Sequence, residues 1–203
     1  MALTRLGLNQ AINLATNVTG TLPVANGGTA LTSGFINGVA NVGKVAQVVS
    51  GHRNTPNSFS SSGTNTFADM GITLDITPSA TSSKIYLVAT THVTQSTSAT
   101  IHVRLLRDST VINSGDPQTN QLSSMLSSRE ESGTPYGLAL FNLTNNFLDS
   151  PNTTSQITYK LQGTLGASYT GTYWINRTNN DSDADYGARH ASNLTAMEIL
   201  AWC

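Results

Sequence analysis

The sequence predicts an all-β protein: an antiparallel β-sandwich of jelly-roll type, carried on a short extended N-terminal stem. Composition is the first reason. Of 203 residues, 29 are Thr, 23 Ser, 19 Asn and 7 Gln, while charged residues make up only 10% against about a quarter in an average domain. Thr, Ser, Asn and Gly weaken helices, and Thr suits a pleated, half-buried strand. Periodicity is the second reason, because beyond Lys44 apolar and polar residues alternate with period two. The third is the contrast with residues 1–44. Before Lys44 the only charge is Arg5 and the only aromatic is Phe35, with glycines at 7, 20, 27, 28, 34, 38 and 43. A segment so poor in apolar side chains closes no core of its own. It orders by packing on copies of itself or on a larger partner, or else serves as a linker. The chain therefore divides into a stem, 1–44, and a head, 45–203.

Taken in order, the head opens with the apolar run Val45-Ala46-Gln47-Val48-Val49. In Gly71 to Pro78, Ile72, Leu74 and Ile76 alternate with Thr73, Asp75 and Thr77, a strand with one buried face that Pro78 ends. Ile85 to Ala89 is denser and reads as a central strand. Ile101, Val103 and Leu105 alternate with His102, Arg104 and Leu106, and Asp108-Ser109 forms a two-residue turn into Val111-Ile112. Gln118 to Glu131 reads as a helix, through Leu122, Met125 and Leu126, or as a long Ser-rich loop. Strands follow at Leu138–Leu143, Ile157–Gln162, Tyr173–Ile175 and Leu194–Leu200. Eight to ten short strands between turn-rich segments match a sandwich or jelly roll.

Three segments carry a resemblance. Thr19-Gly20-Thr21-Leu22-Pro23-Val24-Ala25-Asn26-Gly27-Gly28-Thr29 resembles the short TGTLPVANGGT repeat of bacteriophage tail-fibre proteins, which lies in their trimeric shafts. One copy is present, with Ala30 where the family has Gly. Asn26-Gly27-Gly28 supplies positive-φ positions for a tight turn, and Pro23 sets an extended entry. In the head, Ile76-Thr77-Pro78-Ser79-Ala80-Thr81-Ser82-Ser83-Lys84-Ile85 and the ending Leu194-Thr195-Ala196-Met197-Glu198-Ile199 resemble recurring segments of phage fibre terminal domains. The resemblance implies a homotrimeric virion protein, a tail fibre. Leu22, Pro23, Asn26, Gly27 and Gly28 would belong to a stem docked on tail, collar or capsid proteins. The head would adhere to a host glycan or outer-membrane receptor. A non-adhesive head fibre, collar or decoration protein is the alternative that the resemblance leaves open, with a polysaccharide depolymerase behind it.

The residues themselves narrow the functional classes. Ten scattered Lys and Arg supply no basic patch for nucleic acid. No apolar stretch approaches the roughly 20 residues of a membrane span, and no charged-then-apolar export signal opens the chain. The one cysteine, Cys203, makes no internal disulfide. No nucleophile elbow, phosphate loop or His-Glu-x-x-His motif is present, so no enzyme and no cofactor are expected. A hairpin turning about Thr97 would set His92 opposite His102, as an ordinary cross-strand pair or, on a three-fold axis, part of a metal site. Asp181, Asp183 and Asp185 resemble half of a calcium loop but lack its Glu at position twelve, so a solvated loop is the competing reading and no metal is favoured. Tyr169, Tyr173 and Tyr186 lie in or near the last loops and are the receptor-contact candidates, because aromatic faces stack on sugars. Trp174 is divided between that role and core packing.

Overall fold

The computed structural model describes residues 44–62, 66–96, 98–116, 118–129, 138–166, 169–185 and 187–200. The chain divides into Met1–Val42 and Gly43–Cys203, and every described residue belongs to the second unit. The stem candidates Leu22, Pro23, Asn26, Gly27 and Gly28, like Tyr186, lie outside the described residues.

Among the described residues the regular structure is all strand, in two antiparallel sheets. In the first, β4 (Lys84–Gln95) is central, flanked on one side by β8 (Phe141–Asp149). Along its other side lie β11 (Ser192–Ile199) and β10 (Thr170–Ile175), end to end. Val93 shows this directly, since it pairs with Phe141 of β8 and with Ile175 of β10. β1 (Val45–Arg53) and β2 (Asn57–Ser62) then run along β11 and β10 respectively. In the second sheet, β9 (Ile157–Leu165) pairs with β3 (Ala68–Ile76) and β5 (Thr100–Arg107). β6 (Thr110–Ile112) and β7 (Leu126–Arg129) share the far side of β5.

If β1/β2, β6/β7 and β10/β11 each count as one interrupted strand, the first sheet runs first, eighth, third, sixth. The second runs second, seventh, fourth, fifth. That is the jelly-roll winding. The interruptions matter for function: residues 113–125 and 176–191 are excursions from strands that resume on the same line.

The core follows from strand parity. Ile72, Leu74 and Ile76 of β3, Ile85, Leu87 and Ala89 of β4, Ile101, Val103 and Leu105 of β5, and Tyr159 and Leu161 of β9 are all buried. Fully burying each large side chain contributes about 1.5–3 kcal/mol. By contrast the exposed Lys160–Asp69 pair, 2.9 Å apart, contributes at most about 1 kcal/mol. Where β1 and β3 close the sandwich edge, Gly51 lets them touch: a Cβ there would stand 1.9 Å from the Thr73 carbonyl oxygen. Gly51→Ala should therefore force the strands apart and lower stability by about 2 kcal/mol, read as a shift of the urea midpoint; an unchanged midpoint would contradict the packing.

Three expectations are corrected. β4 and β5 are not a hairpin: they lie in different sheets, because the chain crosses the sandwich between Gln95 and Thr100. The helical reading of 118–131 fails, since the chain is irregular to Met125 and then forms β7, paired with β5. Its alternative as one long loop fails at the same strand. The Asp108-Ser109 turn is borne out, with Arg107 opposite Thr110 and Asp108 at φ 53°.

Candidate functional site

A cleft of about 600 Å³ sits on the solvent face of the second sheet. Ile101 and Val103 point inward, so parity turns Thr100 and His102 outward. Ser127 of β7 is register partner to His102 and shares that face. These three form the floor. One wall is the 113–125 excursion, through Thr119, Asn120, Gln121, Leu122 and Ser124; the other is the β9–β10 connection, through Gly166 and Tyr169.

Local hydrogen bonds hold both walls. The excursion is pinched at its base, where Ser123 Oγ donates to the Gly115 carbonyl at 2.6 Å and Gly115 N–H donates to the Ser124 carbonyl at 3.3 Å. Met125 N–H then donates to the Val103 carbonyl at 2.8 Å, returning the chain to the sheet. On the other side Gly166 N–H donates to the Thr100 carbonyl at 2.9 Å, and Tyr169 N–H to the Gly166 carbonyl at 3.0 Å. Tyr169 is half-buried and packs its ring partly on the core. His102 Nδ1 lies 3.3 Å from Ser124 Oγ. Burial pushes the His102 pKa below the usual histidine value, which favours the neutral imidazole. Among the described residues no formal charge lines the cleft. Its chemistry is that of amides, hydroxyls, one neutral imidazole and one phenol, which together offer donors and acceptors in both senses.

The other candidates fall elsewhere. Tyr173 is a correction: it is 1% exposed, stacks on Phe59 at 5.1 Å and donates its hydroxyl to the Gly163 carbonyl at 2.7 Å. Its parity with Ile175 puts it inside, so it belongs to the core and has no surface for a receptor. Trp174, one residue on, faces outward with the Arg177 guanidinium 5.2 Å from its ring centre. His92 and His102 are in different sheets; the ring near His92 is that of His190, edge-on at 4.7 Å. Burial, and then His190, lower the His92 pKa.

The acidic segment is organised by arginine. Asp181 is held between Arg189, at 2.8 Å, and Arg177, at 3.1 Å, while Asp183 and Asp185 are exposed. Among the described residues no three His, Cys, Asp or Glu side chains gather as a metal site would require.

Sequence reasoning missed the buried carboxylate of Glu198. It accepts from Ser79 N–H at 2.7 Å, Ser79 Oγ at 2.6 Å, Ser83 Oγ at 2.6 Å and Gln47 Nε2 at 2.7 Å. The β3–β4 turn, one of the two head motifs, thus closes on the last strand, the other. Burial raises the Glu198 pKa, but the hydrogen bonds from Ser79, Ser83 and Gln47 outweigh it and hold it at about 2. The signal was available: Leu194, Ala196 and Glu198 share one parity, so the acid belongs to the inward face.

No protein-family model matches the chain, and comparison with curated proteins gives no significant match.

Proposed function

We propose that this chain is a bacteriophage virion protein of the fibre class, a tail-fibre adhesin whose jelly-roll head holds a host-surface glycan in the cleft around Tyr169. The observation that carries this reading is the cleft itself, a cavity of about 600 Å³ whose described lining is uncharged, with Thr, Asn, Gln, Ser and His beside a tyrosine ring. Sugar hydroxyls need donors and acceptors together, and their C–H faces stack on an aromatic ring. The fibre-like stem motif at Leu22–Gly28 adds the virion context, with residues 1–44 docking on tail, collar or capsid proteins and the chain acting as a homotrimer. A weak single site suits such a particle, because repeated presentation multiplies avidity. The reading involves neither catalysis nor a cofactor.

A second reading, a non-adhesive head fibre, collar or decoration protein, draws on one different observation. Val45, Val48 and Leu148 stand more than half exposed on the first sheet, an apolar surface suited to assembly.

Two measurements test the proposal. Mass spectrometry and immunogold labelling of purified virions encoding this chain should place it at the tail. Pre-incubating host cells with the purified chain should then slow phage adsorption, and Tyr169→Ala should abolish that competition while preserving the far-UV circular dichroism. Capsid labelling without competition would favour the second reading and overturn adhesion.

A further inference from the structure

The register of the first sheet aligns an apolar row across its solvent face. Val48 of β1 pairs with Met197 of β11, Met197 with Tyr86 of β4, and Tyr86 with Leu148 of β8. All four have outward parity, since their neighbours Val49, Ala196, Leu87 and Phe147 face the core. Val48 is 58% exposed and Leu148 51%. Beside the row, Val45 pairs with Ile199 at the same end of the face. An apolar stripe crossing four strands is a contact surface rather than scattered exposure.

We infer that this face is where copies of the chain pack against one another. Charge argues for a second copy as the occupant. The outward positions of β1, β4, β8 and β11 carry no carboxylate, because the acids of these strands, Glu198 and Asp149, point inward. The one lysine on this face, Lys84, donates to Ser150 at 2.8 Å at its edge. The polar rows beside the stripe are already paired within the sheet, Ser50 with Thr195 and Thr144 with Thr90. An identical surface can therefore cover this one without burying opposed like charges. The second sheet differs: its solvent face carries Arg104, Lys160, Asp69 and Asp75, which would have to be matched by a partner of another kind. Continuity of the chain points the same way. Residues 1–43, whose composition suits packing on copies of themselves or on a larger partner, join the head at Lys44, immediately before Val45 beside the stripe.

The inference rests on the residues of this face, so it stands or falls separately from glycan adhesion. Its test uses the full chain in a Cys203→Ser background. A thiol introduced by Leu148→Cys should react with a bulky maleimide about tenfold more slowly than one introduced by Ser155→Cys on an exposed loop, as expected of a covered site. Adding Val48→Asp should restore the fast rate, with circular dichroism unchanged. Val48→Cys gives the same reading should Leu148→Cys fail to fold. Sedimentation at roughly 10 µM, a concentration at which a specific interface is populated, should give a multiple of the 21.4 kDa chain mass. A monomer, or equal labelling at positions 148 and 155, would overturn the inference.

Discussion

Replacing Glu198 with alanine should lower the free energy of unfolding by about 3–4 kcal/mol, since buried donors left without an acceptor each cost about 1–3 kcal/mol and the serine hydroxyls can partly reorient. Four donated hydrogen bonds disappear together, two from Ser79 and one each from Ser83 and Gln47. They join a turn between β3 and β4 to the closing strand, so the loss falls on the connection between the two sheets. Urea titration would show it as a lower midpoint with an unchanged slope. Glu198→Gln should recover part of the loss, because its carbonyl oxygen can still accept from the two serines, whereas its amide faces the Gln47 amide.

Acid should reproduce the effect in the wild type. The Glu198 pKa is about 2 in the fold against an ordinary 4.5. Between these values the unfolded chain binds the extra proton, so stability falls as pH drops through that window and is fully present above it. The expected loss is about 3 kcal/mol. Glu198→Gln should remove this part of the acid sensitivity; an acid profile identical to wild type would contradict the account of this carboxylate.

The second large effect is expected at Asn176, where β10 gives way to the 176–191 excursion. Its side chain is fully buried and its backbone takes φ 63°, a conformation that Asn tolerates and Ala does not. The amide donates to the Arg53 carbonyl at 2.7 Å, while its oxygen accepts from Ser192 Oγ at 2.5 Å. The backbone completes the clamp: Asn176 N–H donates to the His92 carbonyl at 2.9 Å and its own carbonyl accepts from His190 at 3.0 Å. One residue thus joins the break between β1 and β2 to both ends of the excursion. Asn176→Ala should cost about 3 kcal/mol, from lost hydrogen bonds and backbone strain together. Asn176→Gly should cost less, because it relieves the strain alone. Hydrogen exchange should then show amides such as Thr178, which donates to the Ala188 carbonyl, losing protection; a stable, fully protected Asn176→Ala would contradict this role.

Where one face of a strand is buried, the sequence was readable. β3, β5 and β9 announce themselves by alternating Ile, Leu, Val and Tyr, and those side chains form the core. β2, with Asn57-Ser58-Phe59-Ser60-Ser61-Ser62, and β7, with Leu126-Ser127-Ser128-Arg129, carry no such signal. They are ordered by the ladders of β10 and β5 beside them. Periodicity also says which face is buried but not which sheet a strand joins, and so β4 and β5 read as a hairpin. The same limit separated His92 from His102. Parity does distinguish Tyr173 from Trp174, once Ile175 marks the inward phase.

The cleft was legible only in part. Tyr169 stood out as an aromatic near the last loops, but Thr119, Asn120 and Gln121 resemble every other polar turn in a chain with 78 neutral hydrogen-bonding side chains. They become a site only because β6 and β7 lie on one line along β5, which throws the residues between them over the sheet face. Low charge thereby acquires a local meaning, since the described residues that line the cavity are all uncharged.

The most direct test of the central proposal is binding of the purified full chain to an array of bacterial surface oligosaccharides, with neutral and acidic members side by side. The proposal predicts binding to neutral saccharides, with Tyr169→Ala reducing the signal at least about tenfold, the scale of a single stacking anchor. Binding to no saccharide, or binding that Tyr169→Ala leaves intact, would contradict it.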